Sequence, residues 1–471
     1  MEYGIKLVRM FEGDDVMQAD NKLLTGSVLR GLLTLALPIL AANVLQTAFN
    51  LVDTWFVSRL GQEAIAAVSM NLPVFFIVLA LGNAVAIGTS SLVAQAVGAG
   101  DRARANRIAG QAMALSLTLG IFSGIVGTAL ARPLLELMGG QGLSLDYAVA
   151  YTQIILAGNP VFFFYMALDG VLRGEGDMKS STLILGFATV INIFLDPLFI
   201  FGLGPVPALG VAGAALATML ARGIGLILII SHFYMGRSSI VLRFRFSWDW
   251  EVVGSIMRIG FPSSISMAML SLTMFVYNYL ANQFGPHVVA ALGLGFRIDS
   301  LAFMPGQSIS IATLTMIGQN YGARLYDRVV QIWKTGLLAA LVSLGSVAIV
   351  VLLVPEFFVS LFTDEPDVFD ATVSYLRIVP LFYVFLGLGI VTSSSFQGLG
   401  RALPALVINL FRLGLVGIPL AFVLIRTGLG ASGIWWALAL SDLTFASIGF
   451  FWFSRLLKKG LSKPVLPGSP E

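Results

Sequence analysis

Five aspartates and three arginines stand inside stretches that are otherwise apolar: Asp53, Asp169, Asp196, Asp299 and Asp442, with Arg222, Arg297 and Arg412. An ionisable group in such a stretch is costly and normally faces a cavity or a partner, so each is a candidate for handling a charged or protonated species. Two of the acids have polar neighbours at helical spacing. Asn50 precedes Asp53 by three positions and shares its face, with Phe49 on the adjoining side. Asn192 precedes Asp196 by four, and Pro197 follows directly. Proline removes a backbone donor and frees the carbonyl near Ile193, so the run from Asn192 to Pro197 reads as a kinked, carboxylate-bearing half of a cation or proton site. Two carboxylates brought together in a low dielectric cannot both ionise cheaply, which suits exchange of a proton or small cation.

The remaining polar positions have simpler explanations beside the functional one. Thr218 ends the small-residue run that begins at Gly213, where close helix packing is expected. Asp169 lies one helical turn from Arg173 and is placed to pair with it. Arg297 with Asp299, and Arg412 with Asp442, read as structural charge pairs. Cysteine is absent, which excludes disulfides and thiolate metal sites.

The elements that must carry these residues are membrane helices. Of the 471 residues 57% are hydrophobic and only 11% charged, against about 25% charge in a soluble domain. Apolar segments of about twenty residues, the length needed to cross hydrocarbon, recur at 34–57, 67–92, 109–131, 150–172, 181–203, 209–234, 256–281, 288–317, 335–354, 372–395, 404–425 and 431–456. Lys and Arg test this list, because they gather in cytoplasmic loops. With the N-terminus inside, the inside segments hold Arg102, Arg104, Arg107, Arg173, Lys179, Arg237, Arg324, Arg328, Lys334, Arg401 and Lys458, while the outside loops and their edges hold only Arg59, Arg132, Arg377 and Arg426. The expectation is a multi-pass protein of the cell membrane (an inner or plasma membrane) with both termini cytoplasmic. The first thirty residues lack the basic-then-apolar order of a cleaved signal. The basic residues form no stripe, so no nucleic-acid partner is expected.

Shifting the sequence by 224 positions lays Pro38 on Pro262, Gly61 on Gly285, Gln95 on Gln319, Gly98 on Gly322, Gly174 on Gly398 and Gly176 on Gly400. A register held that long indicates a duplication of two six-span lobes with one orientation, related by a pseudo-two-fold axis along the membrane normal. The expected parts are an N-terminal cytoplasmic segment 1–33, a lobe 34–236, a linker 237–255, a second lobe 256–457 and a cytoplasmic tail 458–471. The linker alternates aromatic and charged residues around Trp248 and Trp250, as an interfacial anchor does. Pro38 and Pro197 are the expected conformational points.

This pattern resembles the multidrug and toxic compound extrusion (MATE) family, in its DinF-like branch. The resemblance runs from about Leu33 to Lys459 and rests on the twelve spans, the run from Asn50 to Asp53, the run from Leu172 to Asp177, the run from Asn192 to Pro197, and Thr218. It implies a cation-coupled antiporter, using H+ or Na+ and no other cofactor, that exports amphipathic, often cationic compounds by alternating access. It also implies that Asp53, Asn192, Asp196 and Thr218 form the cation site, with Asn50, Phe49 and Asp169 beside it. Phe49 and Asp169 depart from relatives that carry Tyr and Asn there. The NorM-like branch places acids in the seventh and tenth spans, and 264–281 and 378–395 contain none. The expected partners are small amphipathic molecules and membrane lipids, with the chain working as a monomer rather than as an enzyme. The alternative is a flippase for lipid-linked precursors or polysaccharides. An intramembrane aspartyl protease is disfavoured: the string Gly174-Glu175-Gly176-Asp177 lies in a basic loop, and Arg401 replaces the acid in its register mate. No nucleotide-binding Walker string occurs.

Overall fold

A computed structural model describes residues 22–202, 204–242 and 248–461. Most of the expected N-terminal segment, the tail beyond 461 and the linker stretch 243–247 lie outside the described residues. Every regular element described is helical. In chain order they are α1 (Val28–Ser58), α2 (Gln62–Gly98), α3 (Arg102–Leu137), α4 (Gly142–Ala157), α5 (Asn159–Glu175), α6 (Met178–Ile200), α7 (Val211–Tyr234), α8 (Trp250–Asn282), α9 (Pro286–Ala302) and α10 (Met304–Gly322). They continue with α11 (Tyr326–Leu353), the short α12 (Pro355–Ser360), α13 (Pro366–Ile378), α14 (Tyr383–Gly398), α15 (Ala402–Leu410), α16 (Ile418–Leu424) and α17 (Ser432–Lys458).

Among the described residues ten stretches are long and apolar enough to cross a membrane, and counting each of the bent pairs α4–α5 and α9–α10 as one span brings the number to twelve. A helix satisfies all its own backbone groups, which is what hydrocarbon demands. Leu51, Phe194 and Phe275 are 69%, 71% and 71% exposed, as lipid-facing side chains should be. At 31 residues α1 is about 46 Å long, more than a hydrocarbon core requires.

The duplication is visible in the helix ends. Gln62 and Pro286, Arg102 and Tyr326, Gly142 and Pro366, and Met178 and Ala402 start helices 224 positions apart. Gly61 and Gly285 both take a left-handed φ, of 106° and 111°, at the turn into the second span of each copy. Gly174 lies so near α2 that a Cβ would stand 2.7 Å from the Ser90 carbonyl, and its mate Gly398 would stand 2.7 Å from the Leu314 carbonyl of α10. The two crossings are the same crossing made twice.

Two compact units result. One holds Ala41–Phe261, the other Gly26–Leu40 together with the chain from Pro262 onward. Compared with the expected lobes 34–236 and 256–457, the division thus falls inside α1 and α8, close to Pro38 and at Pro262. The linker is part of the first unit. Ser238 Oγ and the Ser239 amide donate to the buried Glu175 carboxylate at 2.6 Å each, and the Val241 amide donates to Asn106 at 2.8 Å. Arg107 pairs with Asp249, and Trp248 stacks on Trp250 at 5.5 Å.

The breaks within the described spans lie away from Pro38 and Pro197. The helices α1 and α6 run unbroken through Pro38 and Pro197. The described breaks bend the fourth span by 49° between Ala157 and Asn159, and the eighth by 47° between Ala302 and Met304. Pro197 is three residues from the end of α6, so little helix remains beyond it to swing.

Candidate functional site

In the first unit, α1 and α6 each bring one carboxylate to a shared place. Asp196 is fully buried; its Oδ1 accepts from Asn192 Nδ2 at 2.8 Å, the one-turn spacing making that bond local, and its Oδ2 is buried with no hydrogen-bond partner among the described residues. Asp53 Oδ1 is likewise buried without a partner. The two carboxylates are close enough for their charges to repel, and Tyr151 of α4 feels both. An acceptor oxygen left bare in each acid is what an incoming proton or small cation would satisfy.

A second polar string lies alongside. Asn50 Oδ1 accepts from Gln46 Nε2 at 3.1 Å, and Gln46 Oε1 accepts from Arg222 Nη2 at 3.3 Å. The Arg222 guanidinium stands 5.7 Å from the ring centroids of Phe162 and Tyr165. Phe49 is buried one residue before Asn50, and Thr218 on α7 is half-buried with no hydrogen bond among the described residues. Asp169 accepts from Ser181 Oγ and from Arg173 at 2.7 Å, so its charge is already met.

Sequence reasoning passed over Gln46 and Tyr151. Gln46 carries the same one-turn spacing to Asn50 that marked Asn192 and Asp196, which is the signal that would have found it. Tyr151 offers no such signal, since a lone tyrosine in an apolar stretch reads as core.

The second unit corrects one pairing and contains another that was foreseen. Asp299 does not pair with Arg297. Residues two apart on a helix point to different sides; Arg297 is exposed while Asp299 is buried and accepts from the hydroxyls of Tyr375, at 2.5 Å, and Tyr383. Arg412 and Asp442 do form a buried pair at 2.6 Å. Arg412 belongs to a π-helical segment, Phe411–Gly417, between α15 and α16, and the Tyr277 hydroxyl nearby is buried without a partner.

The MatE family model matches this chain twice, at residues 38–198 and 262–423, starting on the two prolines that the 224-residue register aligns. The chain is 30% identical over 423 residues to a probable multidrug resistance protein NorM of Thermotoga maritima, covering 88% of this chain and 90% of that one. It is also 30% identical over 411 residues to an FAD transporter of Shewanella oneidensis, covering 86% and 90%. A solved structure of a multidrug resistance MATE family transporter in an outward-facing conformation shares 31% identity and a TM-score of 0.88 over 93% of this chain and 98% of that one. Matched at both repeats, over more than half its length, the chain belongs to the MatE family.

Proposed function

We propose that this multi-pass membrane protein exports small amphipathic, often cationic molecules in exchange for H+ or Na+, with Asp53 and Asp196 as the coupling site, in the manner of the DinF-like branch. The observation that carries this reading is the pair of carboxylates on α1 and α6, each with a bare buried oxygen and with no arginine or lysine bonded to it among the described residues. Loading a proton or cation neutralises their repulsion and lets α1 and α6 draw together, which changes the cavity between helices and weakens the hold on substrate. Release on the other side restores repulsion. One conformational cycle then exchanges one species for the other.

The relatives that carry drug-resistance names support the substrate class, and the FAD transporter among them widens it. A flippase of anionic lipid precursors calls for a cavity rich in free arginine. Here Arg222 bonds Gln46, Arg412 pairs with Asp442, and Arg297 is exposed. The chain would sit in the cell membrane as a monomer among lipids, both termini cytoplasmic, and a reporter at Asp364 should then lie on the opposite side from one following Lys463. Efflux from vesicles under an imposed pH gradient, and separately under a Na+ gradient, tests the coupling. Near-normal transport by both Asp53→Asn and Asp196→Asn would overturn the assigned site.

A further inference from the structure

Asp299 sits three residues before Ala302, on the last turn of α9, where the eighth span bends into α10. Its two tyrosine partners stand on either side of the 3-10 turn Val379–Phe382 that interrupts the tenth span: Tyr375 in α13 and Tyr383 in α14. One carboxylate therefore joins three helical pieces at two interruptions. Tyr375 and Tyr383 are fully buried and Asp299 is 4% exposed.

Ionised, Asp299 is an acceptor only, and both phenols donate to it. Among the described residues no cation pairs with it. The other charged group facing it is Asp442 of α17, which is already paired with Arg412. With all three ionised, this cluster of two acids and one guanidinium keeps one uncompensated negative charge buried inside an apolar span, a costly arrangement unless a proton can join it. Protonation turns one carboxyl oxygen into a donor; the phenol on that oxygen must then accept, which leaves its own buried O–H without an acceptor among the described residues, so one of the two arms is weakened.

The packing says which. The Tyr375 ring is held edge-on by Trp435 at 5.0 Å and by Phe296 at 6.4 Å, and it leaves no room for even a Cβ at Gly295. Tyr383 instead packs edge-on, at 5.0 Å, against Phe303, the single residue between α9 and α10.

We propose that Asp299 is a proton-controlled staple: ionised, it locks the two halves of the tenth span to the eighth, and protonated, it releases Tyr383 and frees the bend at Phe303. It is a positioning residue, acting through helix geometry. Its part in transport rests on the reading that the chain runs on a cation gradient, whereas its proton binding and the motion it controls do not.

The chain has no cysteine, so labels can be placed singly. Leu301 and Leu381 are 50% and 49% exposed beside the two interruptions. Spin labels on Leu301→Cys and Leu381→Cys in lipid nanodiscs should report a distance that changes as the pH is lowered. Infrared difference spectra over the same range should show a protonated carboxyl appearing. In Asp299→Asn both changes should be lost. In Tyr383→Phe, which keeps the acid, the carboxyl signal should persist at a shifted position while the distance change is lost. Asp53→Asn with Asp196→Asn should leave the distance change in place, which separates this proposal from the coupling site. An unaltered carboxyl signal in Asp299→Asn, or an undiminished distance change in both Asp299→Asn and Tyr383→Phe, would overturn it.

Discussion

The two units share a scaffold and differ in what is written on it. Tyr277 of the second unit stands at the register position of Asp53, Asp442 at that of Thr218, and Tyr375 at that of Tyr151. The same three positions supply polar groups to both clusters. In the first unit the outcome is two acids with bare oxygens; in the second it is one acid bonded by two phenols and another neutralised by arginine. Duplication preserved the close crossings at Gly174 and Gly398, where a carbonyl forbids change, and left the polar positions free to diverge.

The contrast breaks most directly at the acids. Asp196→Asn and Asp53→Asn should abolish gradient-driven efflux in vesicles at normal expression. Substantial remaining drive would mean the second unit can power transport unaided. Next in size, Arg412→Met leaves Asp442 buried and unpaired, costing about 3–5 kcal/mol. It should lower the thermal midpoint sharply, and Arg412→Met with Asp442→Leu should recover most of the loss. If the single variant melts like the parent, Arg412 and Asp442 do not act as a neutral buried pair. The shared scaffold is tested by Gly174→Ala and Gly398→Ala. Each pushes a methyl towards a carbonyl and should cost about 1–3 kcal/mol by overpacking, and a large difference between the two melting shifts would argue against equivalent crossings.

The smallest effect concerns a cap present in one copy only. Asp177 accepts from the Ser180 amide at 3.0 Å at the start of α6, and His232 Nε2 lies 3.2 Å away. Burial pushes its carboxyl up, yet the nearby His232 imidazole and the Ser180 amide outweigh this and hold it below the usual carboxylate range. The stabilisation is therefore present above the ordinary carboxylate pKa and is lost as the pH falls through the depressed value. Arg401, at the matching start of α15, makes no side-chain cap. Asp177→Asn keeps a capping oxygen, so it should cost less than about 1 kcal/mol at neutral pH and flatten the acid side of the melting-temperature profile. A profile identical to the parent would remove Asp177 from this account.

The sequence made the spans legible because hydrocarbon imposes a length, and made the repeat legible because close crossings hold their glycines. It hid the two sharp bends. Hydropathy registers how long an apolar run is and not its direction, and prolines such as Pro160 and Pro305, which flank the real breaks, are too common in the chain to single out. Asp53, Asn192 and Asp196 stood out because charge in an apolar run is rare. The partners of Asp299 did not, because tyrosine counts as apolar filling until a fold brings Tyr375 and Tyr383 to one carboxylate across a gap of more than 70 residues. The misread pairing of Arg297 with Asp299 came from sequence proximity, which a helix overrides.

The division of the chain inside α1 bears on how the protein is made. Residues Gly26–Leu40 are grouped with a unit whose remainder starts only at Pro262, and Arg328 Nη2 donates to the Gly26 carbonyl at 2.9 Å. This early segment must wait for more than half of the chain to be synthesised before its lasting neighbours exist. Such long-range closure is slow, and the early segment stays open to wrong neighbours in the meantime. Assembly of the second unit is thus the step at which the whole molecule becomes committed, and separately expressed halves cut between the two repeats would each emerge with a stretch of helix that belongs to the other.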